Sequence, residues 1–594
     1  MPENILVAVA WPYANARIHA GNLTGAYLPA DIFARYHRLK GNRVLMVSGS
    51  DAHGTPVTVR ADAEGTTPYE VYRRFHDGFL EVFQKVGLHY DLFTTTHTRN
   101  HFRVSQAVFR ALKDNGYLYT ERQKQWYASS QERFLPDRYV EGTCYICGYE
   151  NARGDQCDGC GNLLDATQLI NPRSKIDGST PELRETEHFY LDLGKLQDEV
   201  VTFLKARESY WRPNVLRQSL GQILSEGLRG RPITRDLAWG IDVPVDGWEE
   251  KRLYVWFEAV IGYLSAPVEW AHLNAQPEAW QDWWFNPAAK AFYFIGKDNI
   301  PFHAVIWPAQ LRGAGKRFGE IFAGVQGKSL TLPYDVPANE FMNLEGKKIS
   351  GSRNWVVDVL DFLERYDPDA LRYYLTVNMP ESKDTDWDWM EFYNRTNGEL
   401  VATWGNLANR VLSFAHKHWE GRVPDPGALR PMDEEILATV EAGFESVGAY
   451  LESVQLRAAL AEAMRLAGEV NKYLDTTGPW FEIKQDKAQA AKTIYTAMRC
   501  IDSLKVLFSP FLPFTSEKLH ATLGYPKTLF GSQVVETHED DLGAHTVLRY
   551  LPGDASGRWQ PSALPPGQAF LKPAPLFRKL EQEIVEEERA RLGR

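Results

Sequence analysis

The sequence predicts an α/β protein: a doubly wound parallel sheet interrupted by a four-cysteine insertion and followed by an all-α helical bundle. Three observations carry this. Ile5 to Ala10 is an unbroken apolar run, matched by Val44 to Val47, as in strands covered on both faces. Four of the five cysteines fall within one short stretch. Beyond Asp384, apolar residues recur every three or four positions, which is helical spacing.

Composition sets the outer limits. A chain of 594 residues predicts about three to five domains at roughly 100 to 200 residues each. Its 44 % hydrophobic and 24 % charged residues are those of a globular protein. No apolar stretch reaches ~18 residues, and Met1 to Leu6 lacks a signal-peptide pattern, so a cytoplasmic chain without membrane contact is expected. A net charge of −11 argues against indiscriminate nucleic-acid binding but leaves room for a focused basic groove.

Both leading strands run into polar turns. The first gives way to Trp11, Pro12, Tyr13, Ala14 and Asn15, then to His19, Ala20, Gly21 and Asn22, where a helix is expected to begin. Leu28, Ile32, Tyr36 and Leu39 follow at helical spacing, and Pro29 leaves the helix start open. The second strand runs into Asp51, Ala52 and His53. Open parallel sheets bind ligands beyond the carboxyl ends of their strands, so both turns fall where a nucleotide would sit.

The cysteines read C-x2-C-x9-C-x2-C at Cys144, Cys147, Cys157 and Cys160. Each pair turns two thiolates toward one point, with Gly148, Gly159 and Gly161 relieving the backbone, which suits one tetrahedral Zn²⁺. Four sulfurs leave no open position, so the metal is expected to be structural. Cys500 lies at apolar helical spacing with Ile494, Met498 and Ile501 and reads as core.

Downstream, Trp256, Ala259, Val260 and Tyr263 share helical spacing that suits either core or a pocket wall. Tyr293 to Pro308 reads as a strand ending in Lys297, Asp298 and Asn299, followed by His303 and Trp307. Phe341 to Val356 is a turn rich in glycine and basic residues, with Lys347, Lys348, Ile349, Ser350, Gly351, Ser352 and Arg353 in sequence. In the helical region, Leu400, Trp404, Leu407, Val411 and Phe414 form one apolar row, and Leu456, Leu460, Ala463, Ala467, Val470 and Leu474 another.

W-P-Y-A-N-x-x-I-H-A-G-N and S-G-S-D-A-H-G-T-P resemble the class I aminoacyl-tRNA synthetases, specifically the methionyl-tRNA synthetases with their H-I-G-H signature. K-I-S-G-S at 348–352 resembles the mobile K-M-S-K-S loop of that family. The resemblance extends through Arg231 to Pro244, Tyr254 to Tyr263 and Tyr293 to Pro308, and to N-L-x-x-R at Asn406 and Arg410 and P-W at Pro479 and Trp480. It implies a Rossmann-like catalytic domain in two halves, 1–115 and 236–325, split by a zinc-bearing connective insertion at 116–235. A loop and stem-contact region would cover 326–390, a helical anticodon-binding domain 391–537, and a C-terminal extension 538–594. There P-L-F-R-K-L resembles a segment that folds back, and Glu581 to Glu588 reads as a solvated face.

The activity implied is ligation of L-methionine to its tRNA, through methionyl adenylate made from ATP with Mg²⁺. By resemblance, His19, Gly21, Asn22, Lys348, Ser350, Gly351 and Ser352 surround ATP. Trp11, Tyr13, Trp256, Ala259, Val260, Tyr263, Asn299, His303 and Trp307 would hold the amino acid, with Asp51 and Asp298 on its ammonium group. Asn406, Arg410 and Trp480 would read the anticodon by stacking and hydrogen bonds. No appended dimerising domain is recognised, so a monomer is expected. Two positions depart from the pattern: Asn22 replaces the second histidine of the first signature, and Gly351 the second lysine of the other. Lys347 and Arg353 flank that gap and are read as the replacement charge. Two alternatives stay open. A synthetase for another aliphatic amino acid usually carries a large editing domain, for which 116–235 is too small. A tRNA-binding paralogue without chemistry is supported only by Asn22 and Gly351.

Overall fold

A computed structural model describes residues 2–593 apart from 137–138, 155–156, 158 and 161–163. Gly161 and the side chain of Ser352 lie outside the described residues. The strand Asn4–Val9 pairs in parallel with Arg43–Ser50 on one side and Lys290–Gly296 on the other. Its side chains alternate between two cores, Ile5, Val7 and Val9 on one face of the sheet and Leu6 and Ala8 on the other. Both faces are covered, which is why the sequence shows no polar alternation. Ala338–Asn339 and Leu92–Thr95 complete the parallel part.

Two further strands were not foreseen. Ser532–Asp540 and Gly543–Leu551 form an antiparallel hairpin that joins the sheet beside Leu92–Thr95, giving seven strands. The hairpin crosses the expected boundary at 537/538; its two strands pair locally, but the strand it joins, Leu92–Thr95, is remote in sequence.

The first helix begins at Ala20 and continues to Leu39, with π-helical turns at Leu23–Tyr27. The Leu28 N–H bonds the Leu23 carbonyl, five residues back, and Pro29 follows at once. The change of register places the proline, which has no N–H, where the ladder is already interrupted.

Within 116–235, Leu118–Ala128 and Glu182–Leu191 pair along their length and lead to a small sheet around the cysteines. The helices Leu193–Lys205 and Pro213–Glu226 instead bury Leu196, Phe203, Val215 and Ile223 in the same core as Leu6 and Ala8. The projecting part of the insertion therefore ends near Leu191, and the amphipathic faces of these two helices are what return the chain to the sheet.

Both apolar rows of the helical region are buried except Phe414, which packs at the edge of the core. Cys500 is buried, as expected. This core is continuous with the sheet face that carries Ile5 and Val7. The C-terminal helix Ile584–Arg589 exposes Glu586 and Glu587, in line with a solvated face, but Glu588 is buried and accepts hydrogen bonds from Arg365 and Tyr366. Its partners arrive from a distant segment, so spacing alone could not reveal them. Among the described residues no helix is long and apolar enough to cross a membrane.

Candidate active site

The chain leaves Val9 and returns onto the neighbouring strand end. The Asp51 N–H donates to the Pro12 carbonyl at 2.8 Å, and the Ala14 N–H to the Asp51 carbonyl at 3.1 Å. Both turns are thereby held at the carboxyl edge of the sheet. His19 then caps the helix: its Nδ1 accepts the Asn22 N–H at 3.3 Å, while Asn22 Oδ1 accepts the His19 N–H at 3.0 Å. The two signature residues form a reciprocal capping box. Since Nδ1 accepts, the ring proton belongs on Nε2. Burial lowers the imidazole to about 4, so at neutral pH His19 is an uncharged donor. A Cβ on Gly21 would lie 3.0 Å from the Ile349 side chain and 3.1 Å from the His19 ring. This glycine lets the two signature segments touch.

A cavity of about 1530 Å³ opens between the strand ends. His19, Gly21, Asn22, Asp51, Asp298 and Lys348 line its polar part; Trp11, Tyr13, Trp256, Ala259, Val260, Tyr263 and His303 line its apolar part. Trp256 stacks on Phe302 at 4.0 Å, and Tyr13 meets Trp256 edge-on at 6.0 Å. Phe302 escaped the sequence reading, although its place beside His303 was a signal. A Cβ on Gly49 or Gly262 would fall 2.2 or 2.5 Å from the Trp11 indole, so those glycines make room for it. Burial lowers His303 to about 4, and its neutral ring is held at both nitrogens: Nδ1 lies 2.9 Å from the Asn299 carbonyl and Nε2 2.7 Å from the Tyr263 hydroxyl. Trp307 is not on the cavity wall. It is fully buried one layer behind, and its indole N–H donates to the Tyr293 hydroxyl at 2.9 Å.

The two aspartates are both poised toward neutrality. Asp51 is only 3 % exposed, and its carboxyl is raised well above the usual range, first by burial and then by the charge of Glu258. Glu258 is itself wholly buried, 2.9 Å from His53 Nδ1 and 2.7 Å from His101 Nε2. Burial opposes its ionisation, but His53 and His101 outweigh this and hold it below the usual range. Asp298 opens onto the cavity yet is desolvated enough for its carboxyl to be raised as well. Asn299 lines the cavity beside it and donates to Asp298 at 3.4 Å. Sequence reading missed Glu258, whose role depends on histidines far away in the chain.

In the second signature segment, Lys347–Lys348 forms a short strand against Met342–Leu344, and Ser350 and Trp355 exchange backbone hydrogen bonds at 2.9 and 3.0 Å. Lys348, Ile349, Gly351 and Asn354 line the cavity. The Lys347 ammonium lies 4.3 Å over the Trp355 ring, and neither Lys347 nor Arg353 is on the cavity wall.

The sulfurs of Cys144, Cys147, Cys157 and Cys160 lie within 4.8 Å of one another. A tetrahedral ion at the usual Zn–S distance of ~2.3 Å would separate sulfurs by about 3.8 Å, so the cluster fits one. The N–H groups of Ile146 and Gly159 point at Cys144 and Cys157 sulfur, at 3.4 and 3.3 Å. In the helical bundle, the Arg410 guanidinium lies 5.0 Å over the Trp480 ring and 3.8 Å from Asp475. Phe414 braces Trp480 edge-on at 5.0 Å, and Asn406 is exposed one turn before Arg410. Beside Trp480, Phe481 is 70 % exposed, a second ring that sequence reading passed over.

Residues 5–412 match the family described as tRNA synthetases class I (M), and residues 423–548 the anticodon binding domain of methionyl tRNA ligase. The methionine–tRNA ligase of Thermomicrobium roseum is 55 % identical over 594 residues, covering 100 % of this chain and 99 % of the relative. That of Roseiflexus sp. (strain RS-1) is 54 % identical with the same coverage. Among solved structures, Mycobacterium tuberculosis methionyl-tRNA synthetase bound by methionyl-adenylate superposes with a TM-score of 0.73 at 25 % identity, over 97 % of this chain and 100 % of that one. The chain belongs to the methionine–tRNA ligase family of class I tRNA synthetases.

Proposed function

We propose that methionine, ATP and the 3′ end of methionine tRNA meet in the cavity between the strand ends, and that the chain ligates the amino acid to the tRNA there. The observation that carries this reading is the convergence of an aromatic pocket, two carboxylates and both signature segments on one cavity. The methionine thioether lies among Trp11, Tyr13, Trp256 and Tyr263, where a polarizable sulfur gains from ring edges. Asp51 and Asp298 receive its ammonium, and His303 with Tyr263 closes the far end. Its carboxylate attacks the α-phosphorus of ATP, releasing pyrophosphate; a ribose hydroxyl of the tRNA then takes the methionyl group and AMP leaves. No protein nucleophile is required, and the rate comes from positioning and charge stabilisation by His19, Asn22 and Lys348. Mg²⁺ enters with ATP and neutralises phosphate charge. The four cysteines hold one Zn²⁺ that fixes the fold of the insertion.

Amino-acid-dependent ATP–pyrophosphate exchange tests this. Exchange with methionine alone is expected, from protein that carries about one zinc per chain. Exchange with a different aliphatic amino acid would replace the substrate, and none at all in folded, zinc-loaded protein would leave only tRNA binding.

The Arg410–Trp480 stack is proposed to receive an anticodon base. Arg410→Ala should raise the tRNA concentration needed for aminoacylation by roughly five- to 150-fold, the worth of one stacked base. Pyrophosphate exchange, which uses no tRNA, should be unaffected; an equal loss in both assays would place Arg410 in the fold instead.

A further inference from the structure

Gly351 leaves a charge missing from the second signature segment, and the flanking Lys347 and Arg353 do not face the cavity. A cation reaches that wall from elsewhere in the chain. Arg591 and Leu592, just past the helix Ile584–Arg589, line the same cavity as His19, Lys348, Gly351 and Asn354.

This segment is fastened on both sides of Arg591. Glu588 accepts from Arg365 and Tyr366, and Arg589 donates to Glu345 at 3.0 Å and to Asp388 at 3.1 Å. The Gly593 N–H donates to the Asn354 carbonyl at 2.9 Å. The tail is thus bonded to the signature segment itself, shortly past Gly351. Arg591 keeps its guanidinium available: the side chain is 52 % exposed and its ion pair with Glu588 is long, at 3.9 Å. It also contributes to the field that holds the Asp361 carboxyl low, after the larger effect of the Arg365 hydrogen bond, and Arg17 acts alongside it. Arg17 in turn pairs with Asp358 at 3.7 Å, next to the backbone bridge between Asp358 and His19. Two arginines from opposite ends of the chain, Arg17 and Arg591, therefore line the cavity that holds His19.

We propose that Arg591 donates to the ATP phosphates and supplies the cationic contact that Gly351 cannot. The proposal rests on the ATP reading of the cavity given above. A guanidinium offers a fork of donors matched to phosphate oxygens, and the bond from Gly593 to Asn354 holds the Arg591 segment beside the loop. The charge has moved from the loop to a strap tied to the loop.

The test is methionine-dependent pyrophosphate exchange in the full chain with Arg591→Ala, Arg591→Lys, and Arg591→Ala combined with Gly351→Lys. A Cβ at Gly351 meets nothing within 4 Å, so a side chain can begin there without a clash. Arg591→Ala should raise the ATP requirement about ten- to 150-fold, the value of a charge-assisted hydrogen bond, with the methionine requirement unchanged. Arg591→Lys should retain part of the contact, and Gly351→Lys should restore ATP use in the Arg591→Ala background. An unchanged ATP requirement in Arg591→Ala overturns the proposal. So does a loss that raises both substrate requirements together and is not restored by Gly351→Lys, because that is the behaviour of a merely structural tail. Absence of exchange by the unmodified chain would sink the ATP reading, and this proposal with it.

Discussion

Asp51→Asn is expected to raise the methionine concentration required for pyrophosphate exchange at least about 30-fold, while leaving the ATP requirement nearly unchanged. Truncating one member of a buried charge pair costs roughly 2–5 kcal/mol, and Asn keeps the shape of Asp while losing its charge. The pH dependence gives a second reading of the same group. Burial and the ionised Glu258 raise the Asp51 carboxyl well above the usual range, with His53, His101 and His97 on the far side of Glu258 and Asp298 across the cavity. A raised folded value means that the fold favours the protonated form, so the contribution of Asp51 to stability is present at low pH and lost as pH rises through that value. The methionine ammonium needs the opposite form. Its binding should therefore release a proton from Asp51 and weaken as pH falls through the raised value, and Asp51→Asn should abolish that dependence. Measuring the methionine requirement across pH in both proteins decides it; an Asn variant within a few-fold of the parent at neutral pH would remove Asp51 from the ammonium site. A buried Asp51 and a partly desolvated Asp298 in one wall make a site prepared for a cation.

How much of this was legible in the sequence depends on the range of the interaction. Ile5 to Ala10 announced a doubly covered strand because burial on both faces is written in consecutive residues. The cysteine pairs were legible for the same reason, each needing only a two-residue turn. His19 and Asn22 could be found from their spacing, but not their mutual capping bonds, which occupy the Asn22 side-chain carbonyl oxygen and leave its amide N–H groups for a ligand. Glu258 could not be found, since its partners His53 and His101 come from other segments and it looks like an ordinary helix residue. The same holds for Glu588 and Arg591, where a charged tail reads as solvated until Arg365 and Asn354 are placed beside it. Trp307 is the converse case: it sits in a motif that lines the pocket, yet its own side chain turns into the core behind it, where its indole N–H donates to the Tyr293 hydroxyl.

Asp31→Ala should destabilise the fold by about 3–5 kcal/mol, the cost of leaving a buried charge without its partner. Asp31 is 0 % exposed and holds Arg35 at 2.9 Å, Arg372 at 2.6 Å and the His89 N–H at 2.8 Å. Arg372 also donates to the carbonyls of Pro510 and Phe511 in the helical bundle. One carboxylate thus supports two buried guanidinium groups at the seam between sheet and bundle, and its loss leaves both charges stranded. Burial opposes ionisation of Asp31, but Arg35 and Arg372 outweigh it and hold the carboxyl below its usual range. For a lowered carboxyl the stabilisation is complete above the unfolded value, near 4, and is lost as pH falls through the folded one. The gap between parent and Asp31→Ala in denaturant or thermal unfolding should accordingly be full at neutral pH and shrink in acid. Lys472→Ala provides the contrast: its pair with Glu469 is 3.0 Å long, but the lysine is 74 % exposed, and such pairs contribute about 0–1 kcal/mol. If Asp31→Ala unfolded no earlier than Lys472→Ala, the buried cluster would not be what joins bundle to sheet. If it does unfold earlier, the anticodon end and the cavity are held in one frame by three side chains that no signature motif contains.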